Sequence, residues 1–220
     1  MVVLIRGAQI YDGGGGAPFL GDVLVQGETI EAVGPGLPAP PGAAVLEAAG
    51  KMLCPGFIDI HRHADVQPLL GWSAEAELRQ GITTSVSGNC GISLTPCAAP
   101  FRAEQRAFSA AVLGPVPAGA PETYREYVRR LENAALPLNF AAMIGTGAVR
   151  ISLKGFSRAP FTAAELEQAE ACVEEALALG APGVSCGIMY MPECFNSFSE
   201  YAAMLRPLGK YGRPLTAHIR

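Results

Sequence analysis

The sequence predicts an α/β protein with a small all-β unit in front. Three observations carry this. Residues 1 to 54 hold short apolar segments separated by glycine-rich turns. From residue 56 onward strand-like and helix-like stretches alternate, the pattern of a parallel sheet or a (β/α) barrel. Every histidine of the chain, His61, His63 and His218, falls at the predicted C-terminal end of a strand. That is where parallel α/β folds carry their chemistry.

The front unit reads as strands at Val2 to Ile5, Asp22 to Gln26, Thr29 to Gly34 and Ala44 to Ala48. Asp12-Gly13-Gly14-Gly15-Gly16 is a loop almost without side chains. Gly27-Glu28 turns one strand into the next, so a β-hairpin is expected there. Residues 1–54 are therefore expected to form a small β unit, and residues 55–220 the α/β domain.

The α/β part opens with a Pro55-Gly56 turn and an apolar run, Phe57, Ile58 and Ile60, expected as a buried strand over 57–63. Ser73 to Gln80 follows as a helix, with Ser73 as N-cap and Gly81 as stop. Ile82 to Gly88 is rich in β-branched residues and predicts a strand. A partly helical insertion covers about 98–135, including a helix from Glu122 to Asn133. Leu138 to Ile144 is the next strand. Thr162-Ala163-Ala164-Glu165 is a capping box opening an amphipathic helix to Leu179. A strand at 183–186, one helix from Ser199 to Tyr211 and a strand at 214–218 complete the order. Five strands do not close an eight-stranded barrel, so the chain is either an open sheet or part of a longer barrel.

Composition narrows the function. Of 220 residues, 50% are apolar and 16% charged, which specifies a folded core. A net charge of −4 without basic clusters argues against nucleic acid. No run approaches the ~18 apolar residues of a membrane span. The apolar start, Met1 to Ile5, is too short for a secretion signal, so the expected compartment is the cytoplasm. The six cysteines show no CxxC spacing and are expected as reduced thiols. Nothing in the sequence specifies an oligomeric state.

On a strand, residues i and i+2 share a face, so His61 and His63 can converge on one point. Neutral imidazoles fixed on a rigid element are good ligands for zinc and similar ions. Taken alone, the pair reads equally well as polar surface. Cys90, in Gly88-Asn89-Cys90-Gly91 just past the second strand, offers a thiolate that could join them.

Four stretches together resemble one known family. Pro55 to Asp65 matches FIDxHxHxD. Gly81 to Thr84, followed by Gly88 to Ser93, matches GITT…GNCGxS. Gly183 to Pro192 matches GxSxGLxYxP, and His218 to Arg220 matches HxR. These are similar to the amidohydrolase superfamily and, within it, the N-acyl-D-amino-acid deacylase (D-aminoacylase) family. The GNCG stretch is the specific one, because most of the superfamily has a carboxylated lysine where this family has cysteine.

The resemblance implies a small β-sandwich-like domain over residues 1–54, followed over 55–220 by a partial TIM-type (β/α) barrel, about five of eight strands. It implies a zinc cofactor, one or two ions, held by His61, His63, Cys90 and His218. Tyr190, Ser185 and Arg220 would face the substrate, and Asp65 would orient a histidine. The implied reaction is hydrolysis of the amide bond of a small-molecule N-acyl-D-amino acid. The alternatives are a cyclic-amide hydrolase of dihydroorotase or hydantoinase type, and an inactive truncated fragment. One departure is internal: Thr146 stands where the family's GHxxxR stretch has histidine. The other is that the family's catalytic aspartate and a further metal-binding histidine come from strands beyond residue 220. The 220 residues alone are expected to bind metal poorly and turn over little.

Overall fold

The computed structural model describes residues 1–219. The chain divides into two compact units, Met1–Gly56 and Phe57–Arg220.

The first unit is one five-stranded sheet rather than two packed sheets. Strands β1 (Val2–Ile10), β2 (Phe19–Gln26) and β3 (Thr29–Gly34) form an antiparallel meander. Strands β4 (Ala44–Glu47) and β5 (Met52–Leu53) both pair parallel to β1. The expected hairpin is present, and β1 runs twice the expected length. Between Ile5 and Ala8 its register slips, at Gly7 with φ +72°. The buried Asp22 carboxylate fastens this bulge by accepting the Gly7 N–H at 2.7 Å and the Leu37 N–H at 2.9 Å. Ala8, Ile10, Val23 and Ala48 form the core of the unit.

The second unit follows the predicted alternation. Strands β6 (Phe57–Asp59), β7 (Ile82–Ser87) and β8 (Asn139–Ala142) pair in parallel in that order. Strands β9 (Ile144–Gly145), β10 (Val184–Gly187) and β11 (Leu215–His218) form a second parallel set, ordered β11-β10-β9. The single predicted strand at 138–144 is thus split. Met143 breaks it, its N–H bonding to Ser87 at 2.9 Å while the next N–H turns to Gly183.

Among the described residues seven α-helices cover the strands: α1 (Glu75–Arg79), α2 (Arg102–Leu113), α3 (Tyr124–Glu132), α4 (Thr146–Lys154), α5 (Ala163–Ala178), α6 (Phe198–Met204) and α7 (Pro207–Tyr211). Their apolar faces meet the strands around Ile144, Val149, Val173, Val184 and Met204. The capping box Thr162–Glu165 starts α5 as expected, and equivalent boxes at Thr123–Glu126 and Ser197–Glu200 start α3 and α6.

Three local expectations are corrected. Ser73 does not cap α1; the residue before the helix is Ala74, held at φ +47°. The helix expected over 199–211 is two helices, because Pro207 supplies no N–H to continue the first. The strand expected over 57–63 ends at Asp59 and is not buried: Phe57, Ile58 and Ile60 are 57%, 61% and 70% exposed. It has a neighbour on one side only, β7.

Candidate metal centre

The site is built where β6 and β7 end. Beyond Asp59 the chain is held by side chains, not by a ladder. The Arg62 N–H still reaches Val86 at 3.0 Å. The Asn89 amide, almost wholly buried, donates to the carbonyls of Val86 at 3.1 Å, Arg62 at 3.2 Å and Ile60 at 3.5 Å. Ser87 Oγ accepts the Ala64 N–H at 3.0 Å. Two residues at the end of β7 therefore fix the segment that carries both histidines. On its outer side Arg62 pairs with Glu77 at 2.6 Å.

The loop after β7 folds back sharply. Gly88 and Gly91 have φ of +79° and +72°, and Cys90 between them has φ +59°. That conformation disfavours a residue with a Cβ by roughly 1–2 kcal/mol. Neither glycine has room for one. A Cβ on Gly88 would lie 2.3 Å from the Met143 carbonyl oxygen, and one on Gly91 would lie 2.0 Å from Glu193 Oε2.

The turn aims Cys90 at the histidines. Its Sγ is 3.3 Å from His61 Nε2. The ligand atoms of His61, His63 and Cys90 all lie within 4.8 Å of one another, the only such group of three or more among the described residues. The two imidazoles meet edge to face, with centroids 5.7 Å apart. His63 Nδ1 is buried and has no hydrogen-bond partner. Burial, then the neighbouring His61 and His218, push the His63 pKa down and favour the neutral ring that binds metals. Burial, then the Glu193 carboxylate, push the Cys90 thiol up. Two imidazoles, a thiol and an unmet buried nitrogen at this spacing suit a zinc-type ion, whose binding would displace the thiol proton.

The remaining predicted residues are placed as follows. His218 ends β11 but stands outside the group of three. Its Nδ1 is 3.0 Å from the Tyr190 hydroxyl, and the rings are 4.8 Å apart. Tyr190 thus meets His218. Ser185 does not face a substrate space. It is fully buried, and its hydroxyl donates to the Gly88 carbonyl and accepts the Gly91 N–H at 3.0 Å, clipping the Cys90 turn to β10. Asp65 does not orient a histidine. Its carboxyl accepts the N–H groups of Gly88 and Leu94, each at 3.2 Å, and burial raises its pKa to about 7. Arg220 lies outside the described residues.

Sequence reasoning missed Asn89, Ser87 and Glu193. Asn89 was inside the quoted GNCG motif, and an amide immediately after a strand is a usual way to satisfy loose carbonyls. Nothing in the sequence marks Glu193.

The fold is similar to that of solved amidohydrolases. No protein-family model matches it. It is 36% identical over 218 residues to an N-acyl-D-aspartate deacylase of Alcaligenes xylosoxydans xylosoxydans, an alignment covering 99% of this chain and 43% of that protein. Among solved structures it superposes on N-acyl-D-glutamate deacylase from Bordetella bronchiseptica, complexed with zinc and a phosphonate inhibitor, with TM-score 0.88 and 30% identity. It superposes on D-aminoacylase, described as defining a novel subset of amidohydrolases, with TM-score 0.83 and 32% identity. These cover 99% of this chain and 45% of each neighbour. Over almost its whole length the chain is a homologue of N-acyl-D-amino-acid deacylases. It spans less than half the length of these relatives.

Proposed function

We propose that the chain supplies the metal-binding part of a zinc-dependent N-acyl-D-amino-acid deacylase. The convergence of His61, His63 and Cys90 at the ends of adjacent parallel strands carries this reading. His218, at the end of β11, is the proposed further ligand once its ring turns from Tyr190. The two parallel strand sets are read as five strands of a (β/α) barrel, with Met143 at the bend between them. Six unpaired cysteines support a reducing, cytoplasmic setting. The substrate is a small N-acyl-D-amino acid, and no nucleic-acid partner is proposed.

His61 and His63 would hold the ion as neutral rings, and Cys90 as a thiolate. A divalent metal there supplies Lewis acidity toward an acyl carbonyl and lowers the pKa of water. Released when His218 turns toward the ion, the Tyr190 hydroxyl can orient a substrate oxygen near it. The proton transfer from water to the leaving amine needs a free general base near the ion, and the resemblance implies a carboxylate. Asp65 and Glu193 are buried and committed to backbone and hydroxyl donors, so neither serves. The resemblance assigns that role to an aspartate of a later strand.

The test is release of D-amino acid from N-acyl-D-aspartate and N-acyl-D-glutamate, with the L-enantiomers and dihydroorotate as controls. The 220 residues alone are expected to show little or no turnover, and the protein extended to the relatives' length to act on the D-substrates. Turnover of dihydroorotate by the extended protein, or rates typical of a whole enzyme from the 220 residues, would overturn the reading.

A further inference from the structure

We propose that Glu193 is the positioning residue that holds the Cys90 turn in its metal-binding conformation. The importance of that turn rests on the metal-centre reading; the clamp itself is a matter of geometry. Glu193 lies in a short 3-10 turn, Glu193–Phe195, beyond β10, and is 2% exposed. Its carboxyl gathers donors from three segments. The Gly187 N–H at the end of β10 reaches Oε2 at 3.0 Å. The Thr146 hydroxyl at the start of α4 bonds to Oε1. The Tyr201 hydroxyl on α6 reaches Oε1 at 3.2 Å.

The same carboxyl presses on the Cys90 turn from behind. Oε2 sits so close to Gly91 that a Cβ there would lie 2.0 Å away, and a Cβ on Gly147 would lie 2.7 Å away. Gly91 is tied to the same helix start, its carbonyl accepting the Ala148 N–H at 3.0 Å. Gly187 touches the other side, where a Cβ would be 2.2 Å from the Cys90 carbonyl oxygen. One carboxyl therefore joins the end of β10, the start of α4 and the back of the turn. Among the described residues it pairs with no cation. Burying a carboxyl in this way costs stability, and an apolar side chain of similar size would avoid the cost. What an apolar side chain could not do is hold these donors at one point, against a residue whose φ is +59°.

The test is alkylation of Cys90 by iodoacetamide in the metal-free 220-residue chain, read peptide by peptide, with Cys172 on α5 as internal reference. Glu193→Ala is expected to raise the Cys90 rate roughly tenfold and leave Cys172 unchanged. Glu193→Gln keeps the volume and one acceptor but removes the charge that holds the Cys90 thiol up, so its rate should fall between those of the wild type and Glu193→Ala. Thr146→Val removes only the hydroxyl contact and should raise the rate roughly threefold, which carries the test if Glu193→Ala does not fold. In the same variants the thiolate-to-cobalt charge-transfer band on addition of Co(II) should weaken in the same order. An unchanged Cys90 rate, or Cys90 and Cys172 rising together, would overturn the proposal and leave Glu193 as ordinary packing. Because alkylation needs no metal, a wild-type chain that fails to take up Co(II) would count against the metal-centre reading alone.

Discussion

The Cys90 sulfur lies 3.3 Å from His61 Nε2, although 29 residues separate the two in sequence. The contact exists because β6 and β7 are parallel neighbours whose chain continuations are laced together by one amide, Asn89. Each ligand is placed by backbone that other residues hold.

Gly88→Ala should be severely destabilising. The new methyl would sit 2.3 Å from the Met143 carbonyl oxygen, at a φ of +79°. Gly36→Ala has a similar φ, +67°, but open space around it. Urea unfolding should show a loss of about 1 kcal/mol for Gly36→Ala and about 4 kcal/mol or more, or no folded protein, for Gly88→Ala.

Asn89→Ala removes the donor shared by three carbonyls. The expected loss is about 2–3 kcal/mol in unfolding free energy. Metal affinity should fall more than stability alone explains, because the freed segment carries both histidines. Isothermal titration with zinc at a temperature where both proteins are folded checks this.

Ser185→Ala distinguishes a clip from a substrate contact. Ser185 is buried and bonded to both Gly88 and Gly91. Its loss should cost about 1–3 kcal/mol of stability. In a catalytically complete protein it should lower kcat through the Cys90 turn. A selective rise in KM with unchanged stability would restore the substrate-facing role that its motif position implies.

Glu165 gives a pH signature. Its bonds to Lys154, with those at the start of α5, hold its pKa at about 2, against 4.5 in the unfolded chain. A depressed carboxylate contributes stability that is fully present above the unfolded value and lost as pH falls through the folded one. Stability should therefore fall between about pH 4.5 and 2, by about 1–2 kcal/mol from this group after solvent screening. Glu165→Gln should remove that part of the acid sensitivity in thermal melts taken across the range.

Much of this was legible in the residues. Strand and helix alternation is a local pattern, so the strand order after residue 56, with β8 and β9 read as one, the capping box at Thr162 and the stop at Gly81 could be read directly. The histidines and Cys90 were legible because chemistry and strand ends coincide. What was hidden depends on contacts far apart in sequence. Ser185 meets Gly88 and Gly91 across more than 90 residues. Its motif position therefore suggested a substrate contact, whereas the fold turns it inward. Asp65 sits two residues beyond His63, yet its carboxyl is captured by the amides of Gly88 and Leu94. The short β6 was hidden for a related reason: side chains of β7 and its following loop replace the ladder beyond Asp59. The break before α7 was legible in principle, since Pro207 announces it.

The most direct test of the central claim is Co(II) titration of the 220-residue chain, followed by the thiolate-to-metal charge-transfer band. The band should appear on the wild-type chain, vanish in Cys90→Ala, and weaken at least tenfold in apparent affinity in His61→Ala and His63→Ala. A band that survives Cys90→Ala, or no band on the wild-type chain even at the high Co(II) that its expected weak binding requires, would contradict a metal centre built from His61, His63 and Cys90.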